Sequence, residues 1–295
     1  IVYGTSDINE LNLNAGTKNG TLVFNTSLKQ FKSGSSLSIY ATTLNGTLQN
    51  NNLDFTLNIK DKDFKNKYRL SGNLNQPSLN NYAFSLRPDS LLLNYEQWAI
   101  NADNKIQYFN KDINAHNFVL SQKGQQLSIN SAGTEHNSPL QIDFKNFNIA
   151  TITGFIQSDS LMVNGMLNGT AVVKNIQTQP TFTADLTVND LSIYKDTLGN
   201  LTAKVNNNIA NKYEAAVSLT GHGNEVNING NYLVDPTNSS YDFVVDVVSL
   251  QMKALEGFSK GALKDTRGNL YGKIALNGSL KEPNIDGKIQ FNNTA

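Results

Sequence analysis

Apolar and polar residues alternate along most of the chain, and the alternation is clearest between Thr266 and Phe291. The apolar positions of this stretch are Leu270, Ile274, Leu276, Ile285, Ile289 and Phe291. Successive side chains of a β-strand point to opposite faces, so a period of two predicts strands with one apolar and one wet face. We expect two such strands here, joined by a turn from Asn277 to Pro283, because glycine and proline favour a change of direction.

The same pattern occurs 103 positions earlier in the chain. Three pairs of residues share this offset: Gly165 and Gly268, Gly169 and Gly272, and Pro180 and Pro283. A degraded third copy lies around Gln76 and Pro77. Repeats that each expose an apolar face are stabilised by stacking on their neighbours. The sequence therefore predicts a degenerate β-repeat over residues 1–139 and two further β-repeats over residues 140–241 and 242–295.

Two segments change from a period of two to a period near 3.6, which is typical of a helix. Their apolar residues are Phe147, Ile149, Ile152 and Phe155 in the first segment, and Leu250, Met252, Leu255 and Phe258 in the second. We predict short helices near 147–155 and 251–259 that lie across the apolar face or close its end. The fold class expected is all-β, an elongated curled antiparallel sheet with one or two short helices.

Asparagine–glycine pairs recur along the chain. They are Asn19–Gly20, Asn45–Gly46, Asn164–Gly165, Asn168–Gly169, Asn229–Gly230 and Asn277–Gly278. This dipeptide is typical of two-residue hairpin turns, so we interpret the pairs as turns. Gly165 and Gly169 also interrupt an apolar face, where a missing side chain permits a bulge or sharp curvature.

Composition excludes several classes of protein. The chain has 24 basic and 24 acidic residues and no basic stripe, so we expect no nucleic acid partner. It has no cysteine, which rules out disulfides and thiolate metal sites. No apolar run is long enough for a transmembrane helix, and no signal peptide is visible. The chain begins at Ile1, and we expect it to be a segment of a longer protein whose anchor lies outside it.

Residues that carry catalysis or bind metal ions do not form a recognisable pattern. His116, His136 and His222 are scattered, and neither a nucleophile elbow, a P-loop nor an EF-hand loop is present. We therefore expect no enzyme, no cofactor and no metal site. Trp98, the single tryptophan, is expected in a packed core rather than at a ligand groove.

Residues 143–189 and 242–291 share an order of elements. An alternating strand is followed by a short apolar helix, a Gly-x-x-x-Gly strand (Gly268 to Gly272) and a Gly-x-Leu-x-x-Pro-x-x-x-Gly turn (Gly278 to Gly287). This order resembles the C-terminal region of TamB, a translocation and assembly module subunit among the AsmA-like proteins. In the earlier copy Asn175 and Ala184 replace two of the glycines. The asparagine- and lysine-rich usage suits a Bacteroidota-type bacterium.

The resemblance implies a β-taco, a repeating β-groove with a continuous apolar lining. It also implies a periplasmic protein that is held in the inner membrane by a segment outside this chain. Its implied partners are phospholipids and a BamA/TamA-like outer-membrane barrel, and related groove proteins move phospholipids between membranes. The function expected is thus a periplasmic bridge that conducts lipids.

Apolar side chains on one face of each strand would line such a groove. The predicted lipid-groove residues are Leu167, Val173, Phe182, Leu186, Val217, Leu219, Ile228, Phe243, Val245, Leu270, Ile274, Leu276, Ile285 and Ile289. Each buried methylene contributes about 0.8 kcal/mol, so acyl chains would be held without specific contacts. The alternative is that these faces close on each other as a sandwich or a filled barrel.

Two other functions remain open at this stage. One is an outer-membrane protein assembly factor that pairs its edge strand with the strands of a nascent barrel. The other is an extracellular β-solenoid adhesin or carbohydrate-binding module. The second would need exposed aromatic rings on the polar face, for which Tyr232 and Tyr271 are the nearest candidates.

Overall fold

The computed structural model describes residues 2–34, 37–135, 137–154, 163–176, 180–194, 196–209, 211–257, 259 and 262–294. Twenty-three strands and two short helices occur among these residues. The strands are β1 (Val2–Tyr3), β2 (Ser6–Lys18), β3 (Thr21–Ser33), β4 (Leu37–Gln49), β5 (Asn52–Lys60), β6 (Asn66–Ser78), β7 (Asn81–Leu86), β8 (Leu92–Leu93), β9 (Glu96–Gln97), β10 (Ala99–Ile100), β11 (Lys105–Phe109), β12 (Asp112–His116), β13 (Phe118–Gln122), β14 (Gln125–Ser131), β15 (Leu140–Asn148), β16 (Val163–Lys174), β17 (Thr181–Ile193), β18 (Asp196–Ile209), β19 (Lys212–Gly221), β20 (Asn224–Leu233), β21 (Ser240–Gln251), β22 (Asn269–Ser279) and β23 (Pro283–Asn292). The helices are α1 (Ala150–Thr153) and α2 (Lys253–Glu256).

The chain forms two compact units. Unit 1 comprises Ile1–Ile142 and Ala150–Ser160, and unit 2 comprises Asp143–Ile149 and Leu161–Ala295. Strand β15 begins in unit 1 and ends in unit 2.

Unit 1 is a meander with one excursion. Strands β1 to β7 pair in chain order and are followed by β11 and β12, while β8 pairs with β6 and β9. Strands β10, β13 and β14 are neighbours in another sheet. Leu91 and Trp98 are almost fully buried in this unit. The expectation that Trp98 is a core residue is therefore confirmed.

Residues 61–65, which connect β5 and β6, form a charged loop. Asp61 organises it by accepting hydrogen bonds from the amides of Asp63 and Lys65 and from the hydroxyl of Tyr95, 2.7 Å away. Desolvation by burial favours a higher pKa for Asp61, but these hydrogen bonds outweigh it and lower the pKa below its usual value. Burial, together with the bond to Asp61, raises the pKa of Tyr95 to about 12.

Unit 2 is a simpler meander in which β15 to β23 are antiparallel neighbours in chain order. In its last hairpin Leu276 lies opposite Ile285, and Leu270 lies opposite Phe291. The two strands predicted from the alternation are therefore confirmed. The turn is shorter than expected, because β22 continues to Ser279 and β23 starts at Pro283.

The sequence repeat corresponds to a structural repeat. Gly169 pairs with Leu186 in one hairpin, and Gly272 pairs with Ile289 in the other, so the register is the same in both copies. The helices begin at Ala150 and Lys253, which differ by the same 103 positions. Both lie inside their predicted ranges but have only four residues each. Phe155 and Phe258, the last apolar residues of those predicted ranges, lie outside the described residues.

The interpretation of the asparagine–glycine pairs as turns is wrong for five of the six pairs. Asn19–Gly20 forms the β2–β3 turn, but Asn45–Gly46, Asn229–Gly230 and the other three pairs lie inside strands. In these strands the asparagine faces the polar side and the glycine faces the apolar side. Close packing against a neighbouring strand, not a change of chain direction, accounts for the glycine.

Gly169 illustrates this close packing. Its φ of +117° is one that residues with side chains rarely adopt, and a Cβ atom there would lie 2.1 Å from the carbonyl oxygen of Asp185. Gly272 meets the carbonyl oxygen of Lys288 at the same distance in the second copy. Glycine is thus required for β16 and β22 to approach the strands that follow them.

The predicted fold class is confirmed: the protein is all-β, with a curled antiparallel sheet and two short helices. Among the described residues, neither helix has the length or hydrophobicity that would be needed to span a membrane.

Candidate functional site

One face of unit 2 is apolar across eight consecutive strands, β16 to β23. Residues that lie directly opposite each other in an antiparallel pair project from the same face, so the registers can be followed from strand to strand. The first row is Ala171, Ala184, Val205, Ala215, Gly230, Phe243, Leu276 and Ile285. The second row is Gly169, Leu186, Ala203, Val217, Ile228, Val245, Ile274 and Gly287. The third row is Leu167, Val188, Leu201, Leu219, Val226, Val247, Gly272 and Ile289.

All fourteen predicted groove residues project from this apolar face. Eleven of them belong to the three rows. Val173 and Phe182 face each other beyond the first row, and Leu270 lies beyond the third row, between Leu250 and Phe291. The structure therefore brings the whole set together on one surface, while their contact with lipid remains a prediction.

The apolar face is only partly withdrawn from solvent. Leu270 is buried, Ile285 and Ile289 are exposed, and the other eleven predicted residues are half-buried. In a closed sandwich the central residues, such as Leu186, Val217 and Val245, would be fully buried against an opposing sheet. The described part of unit 2 thus presents these side chains at an open surface.

Small residues on this face lie beside large ones. Gly230 is opposite Phe243, and a Cβ atom at Gly230 would come within 2.5 Å of the Phe243 ring. The ring therefore covers the glycine. Ala203, Ala215 and Gly230 are smaller than the residues beside them, so the surface of the first two rows is lower at these positions.

One border of the apolar face, which we call the helix lip, is closely packed and contains buried side chains. It consists of α2 with Ile193, Leu198 and Leu250. Ala254 of α2 is buried against Ile193 and Leu198, and these three residues are 4–6% exposed. The expectation that a short helix closes one end of the apolar face is met here by α2.

Two polar residues hold the helix lip together. The buried Asn224 donates to the carbonyl oxygen of Leu198 and accepts from the amide of Gln251, both at 2.8 Å. Glu256 accepts hydrogen bonds from the hydroxyl and the amide of Thr266, and these bonds lower the pKa of its carboxyl group. The ends of β18, β20 and β21 are thereby tied to one another.

Replacing Asn224 is expected to destabilise this lip. In Asn224→Ala the Leu198 carbonyl and the Gln251 amide lose their buried partner, which costs about 1–3 kcal/mol of unfolding free energy. Urea unfolding followed by circular dichroism measures the change. Asn229→Ala, at an exposed position of the same strand, is the control and should change stability by less than about 0.5 kcal/mol. Equal stability of the two variants would contradict the role of Asn224.

The opposite border, which we call the tyrosine lip, carries a row of tyrosines. Tyr213, Tyr232 and Tyr241 lie directly opposite one another on β19, β20 and β21 and are half-buried. Tyr213 donates its hydroxyl hydrogen to the carbonyl oxygen of Pro180 at 2.6 Å. The row projects from the apolar face, so the expectation that Tyr232 lies on the polar face is wrong. Tyr271 does lie on the polar face.

The reverse side of the same strands is wet. Lys204 and Asp185 form an exposed ion pair at 3.1 Å, and the Ser218 hydroxyl donates to Asn227 at 2.8 Å. The charged side chains of these strands lie on this side, and the three apolar rows contain none. Each strand of unit 2 has two chemically distinct sides.

Unit 1 has a comparable apolar face. One row is Leu22, Leu48, Leu53, Leu74, Phe84, Ile106 and Ala115, and the next is Phe24, Gly46, Phe55, Gly72 and Leu86. At one border Ile59 and Tyr68 are 3% exposed, and the Tyr68 hydroxyl donates to the carbonyl oxygen of Thr151 in α1. At the other border Tyr82 and Tyr108 are paired and partly exposed. Unit 1 therefore has its own helix lip and tyrosine lip.

The structure offers no metal centre among the residues it describes, where no three histidine or acidic side chains converge. His116 lies 3.5 Å from Asp103 at the surface, and His222 is in an exposed turn. His136 lies outside the described residues.

Several residues of the apolar face were not among the predicted groove residues. Within the three rows they include Val188, Leu201, Val205, Val226 and Val247. Strict alternation along their strands marks most of them. The alanines and glycines of the rows carry no such signal, because small residues are neither clearly apolar nor clearly polar.

Comparison with known proteins gives one family. The family model described as TamB, N-terminal domain, matches residues 7–291. No curated protein and no solved structure shows a significant match to the chain. The matching region is the N-terminal domain, whereas the sequence motifs resemble the C-terminal region, so that part of the expectation is corrected. The match covers nearly the whole chain, and the protein belongs to the TamB family.

Proposed function

We propose that this chain is a lipid-conducting segment of a periplasmic bridge between the inner and outer membranes. TamB proteins belong to the translocation and assembly module, and this family is associated with lipid transport and with the periplasm. The bridging role, a BamA/TamA-like barrel as partner and phospholipid as cargo are the specific parts of the proposal. The role is non-catalytic and requires no cofactor.

The observation that carries the proposal is the continuity of the apolar face in unit 2. Three apolar rows cross eight strands without a charged side chain. Strands about 4.8 Å apart give such a face a length of roughly 35 Å. Half of a bilayer core is about 15 Å thick, so the face is longer than one acyl chain. A lipid could therefore shift along it while its chains remain in contact with apolar side chains.

The free energy of contact with this face favours a lipid that can move along it over a lipid that is fixed at one position. Contact with the face contributes about 0.8 kcal/mol for each methylene removed from water, and this attraction has no preferred direction. A lipid that moves by one strand exchanges one set of apolar contacts for an equivalent set. Binding is thus strong enough to keep the chains out of water and does not fix the lipid at one position.

Photo-crosslinking tests the proposal. A photoreactive amino acid at Leu186 or Ile274 should capture phospholipid from cells, because both positions lie in the second row. Thr187 and Ala275 are matched controls, since each is the next residue of the same strand and points to the other face. Mass spectrometry identifies the adducts. Capture of protein side chains alone, or equal lipid capture on both faces, would contradict the proposal.

A further inference from the structure

We infer that phospholipids lie across the apolar face of unit 2 in one orientation, with head groups at the tyrosine lip and chain ends toward the helix lip. This inference rests on the proposed function. It adds a site for the lipid head group, namely Tyr213, Tyr232 and Tyr241, and a direction for the acyl chains along the strands.

The chemistry changes in one direction across the face. The tyrosine row comes first, followed by the three apolar rows, and the packed helix lip comes last. Tyrosine has an apolar ring and a polar hydroxyl, so it is favoured where a hydrocarbon region meets a polar one. The helix lip differs, because its tyrosine, Tyr194, packs against the buried cluster of Ile193, Leu198 and Ala254 instead of forming a row along the edge. Its charged groups, Lys253 of α2 and Asp196, are paired with each other at 3.1 Å.

The dimensions fit an acyl chain. Tyr213 and Leu219 lie on the same face of β19, six residues apart. At about 3.3 Å per residue this span is roughly 20 Å, compared with about 15 Å for one leaflet of the bilayer core. A chain whose head group is beside Tyr213 therefore ends before the helix lip.

The hydroxyl groups of the row suit the polar part of a lipid. Tyr213 already donates to the Pro180 carbonyl, which fixes its ring at the border. Tyr232 and Tyr241 are half-buried on neighbouring strands. Their hydroxyls can donate to phosphate or ester oxygens while their rings contact the first carbons of the chains.

The apolar face of unit 1 also has tyrosines at one border and a helix at the opposite border. Tyr82 and Tyr108 are paired on β7 and β11, with ring centroids 6.2 Å apart and the residues 36% and 38% exposed. The opposite border of that face is closed by Ile59, Tyr68 and α1. Each unit thus has partly exposed tyrosines at one border of its apolar face and a short helix at the other, where Tyr68 of unit 1 is buried.

Position-specific quenching tests the orientation. The chain has no cysteine, so Asn238→Cys and His222→Cys each allow one fluorophore, at an exposed turn beside the tyrosine lip or the helix lip respectively. The full chain is loaded with phosphatidylcholine that carries a nitroxide either on the head group or at the end of one acyl chain. The head-group nitroxide should quench the Asn238→Cys label several-fold more than the His222→Cys label, and the chain-end nitroxide should do the reverse.

Substitution of the tyrosines tests which residues orient the lipid. Combining Tyr232→Leu with Tyr241→Leu should remove the difference between the two labels, while Tyr271→Leu on the polar face should leave it unchanged. Circular dichroism verifies that each variant is folded. Bound lipid with equal or reversed quenching, or a difference that survives the double substitution, would overturn this inference alone. Absence of any bound lipid would overturn it together with the proposed function.

Discussion

Ile228→Asp should abolish the retention of phospholipid. Ile228 lies in the middle of the second row, with Val217 and Val245 opposite it on the two neighbouring strands. A carboxylate at this position would have to be desolvated when acyl chains cover the face. Burying an unpaired polar group costs roughly 3 kcal/mol or more, which corresponds to at least about a 100-fold weaker association. Phosphate analysis of the purified chain and lipid transfer between vesicles measure the loss.

Asn229→Asp provides the matched control for this charge. It adds the same carboxylate to the next residue of β20, which is exposed on the polar face. Lipid retention by this variant should equal that of the unmodified chain. Ala203→Phe should also hinder lipid binding, without adding a charge, because the larger side chain fills the space beside the small Ala203 in the second row. If Ile228→Asp is folded and retains as much lipid as Asn229→Asp, the apolar face is not the lipid path.

Gly169→Ala should strongly destabilise unit 2 although it adds only one methyl group. The residue has a φ of +117°, and the new Cβ atom would collide with the Asp185 carbonyl oxygen, which belongs to the backbone and cannot rotate away. Strain of this kind costs about 1–3 kcal/mol even before the strands move apart. We expect the unfolding free energy to fall by about 3 kcal/mol, as measured by urea titration.

Gly16→Ala separates this steric effect from the general effect of replacing glycine. Gly16 lies in a strand, a Cβ atom added to it would meet no other atom within 4 Å, and its backbone needs no positive φ. Its substitution should be neutral or stabilise by about 0.5–1 kcal/mol, because alanine loses less backbone entropy on folding. Gly272→Ala should match Gly169→Ala, since the repeat places it against Lys288 in the same way. Similar stability of all three variants would contradict the close approach of the strands.

These two predictions concern different properties of the same face. The glycines let neighbouring strands approach closely, and the large side chains beside them cover the gap. The apolar rows then remain continuous from β16 to β23. Stability and lipid passage can therefore be altered separately, by a methyl group in the first case and by a charge in the second.

The alternation of the sequence alone identified many of the large apolar members of the apolar face, including Leu186, Val217 and Ile228. Alternation of side chains is a local property of an extended backbone, so Phe182, Leu186 and Val188 share a face whatever pairs with them. The repeat offset of 103 residues predicted the equivalent hairpins, and the change to a period near 3.6 predicted the two helices. Where the alternation is weak, as between residues 1 and 33, the pattern does not predict the full length of β2 and β3.

Features that depend on partner strands could not be read from the sequence. In β17 the register shifts between Val188 and Leu191, so Ile193 is buried at the helix lip although strict alternation from Val188 would place it on the polar side. Five of the six asparagine–glycine pairs lie inside strands, where a backbone atom of the neighbouring segment of the chain occupies the space beside the glycine.

The sequence by itself determined that most strands have an apolar side and a polar side, because the alternation of side chains follows from covalent geometry. Only the tertiary structure decided that the apolar side is left open, with tyrosines along one border and a helix along the other. Those properties arise from contacts between residues far apart in the chain, such as Asn224 with Leu198 and Gln251. A pattern that repeats every two residues carries no information about such distant contacts.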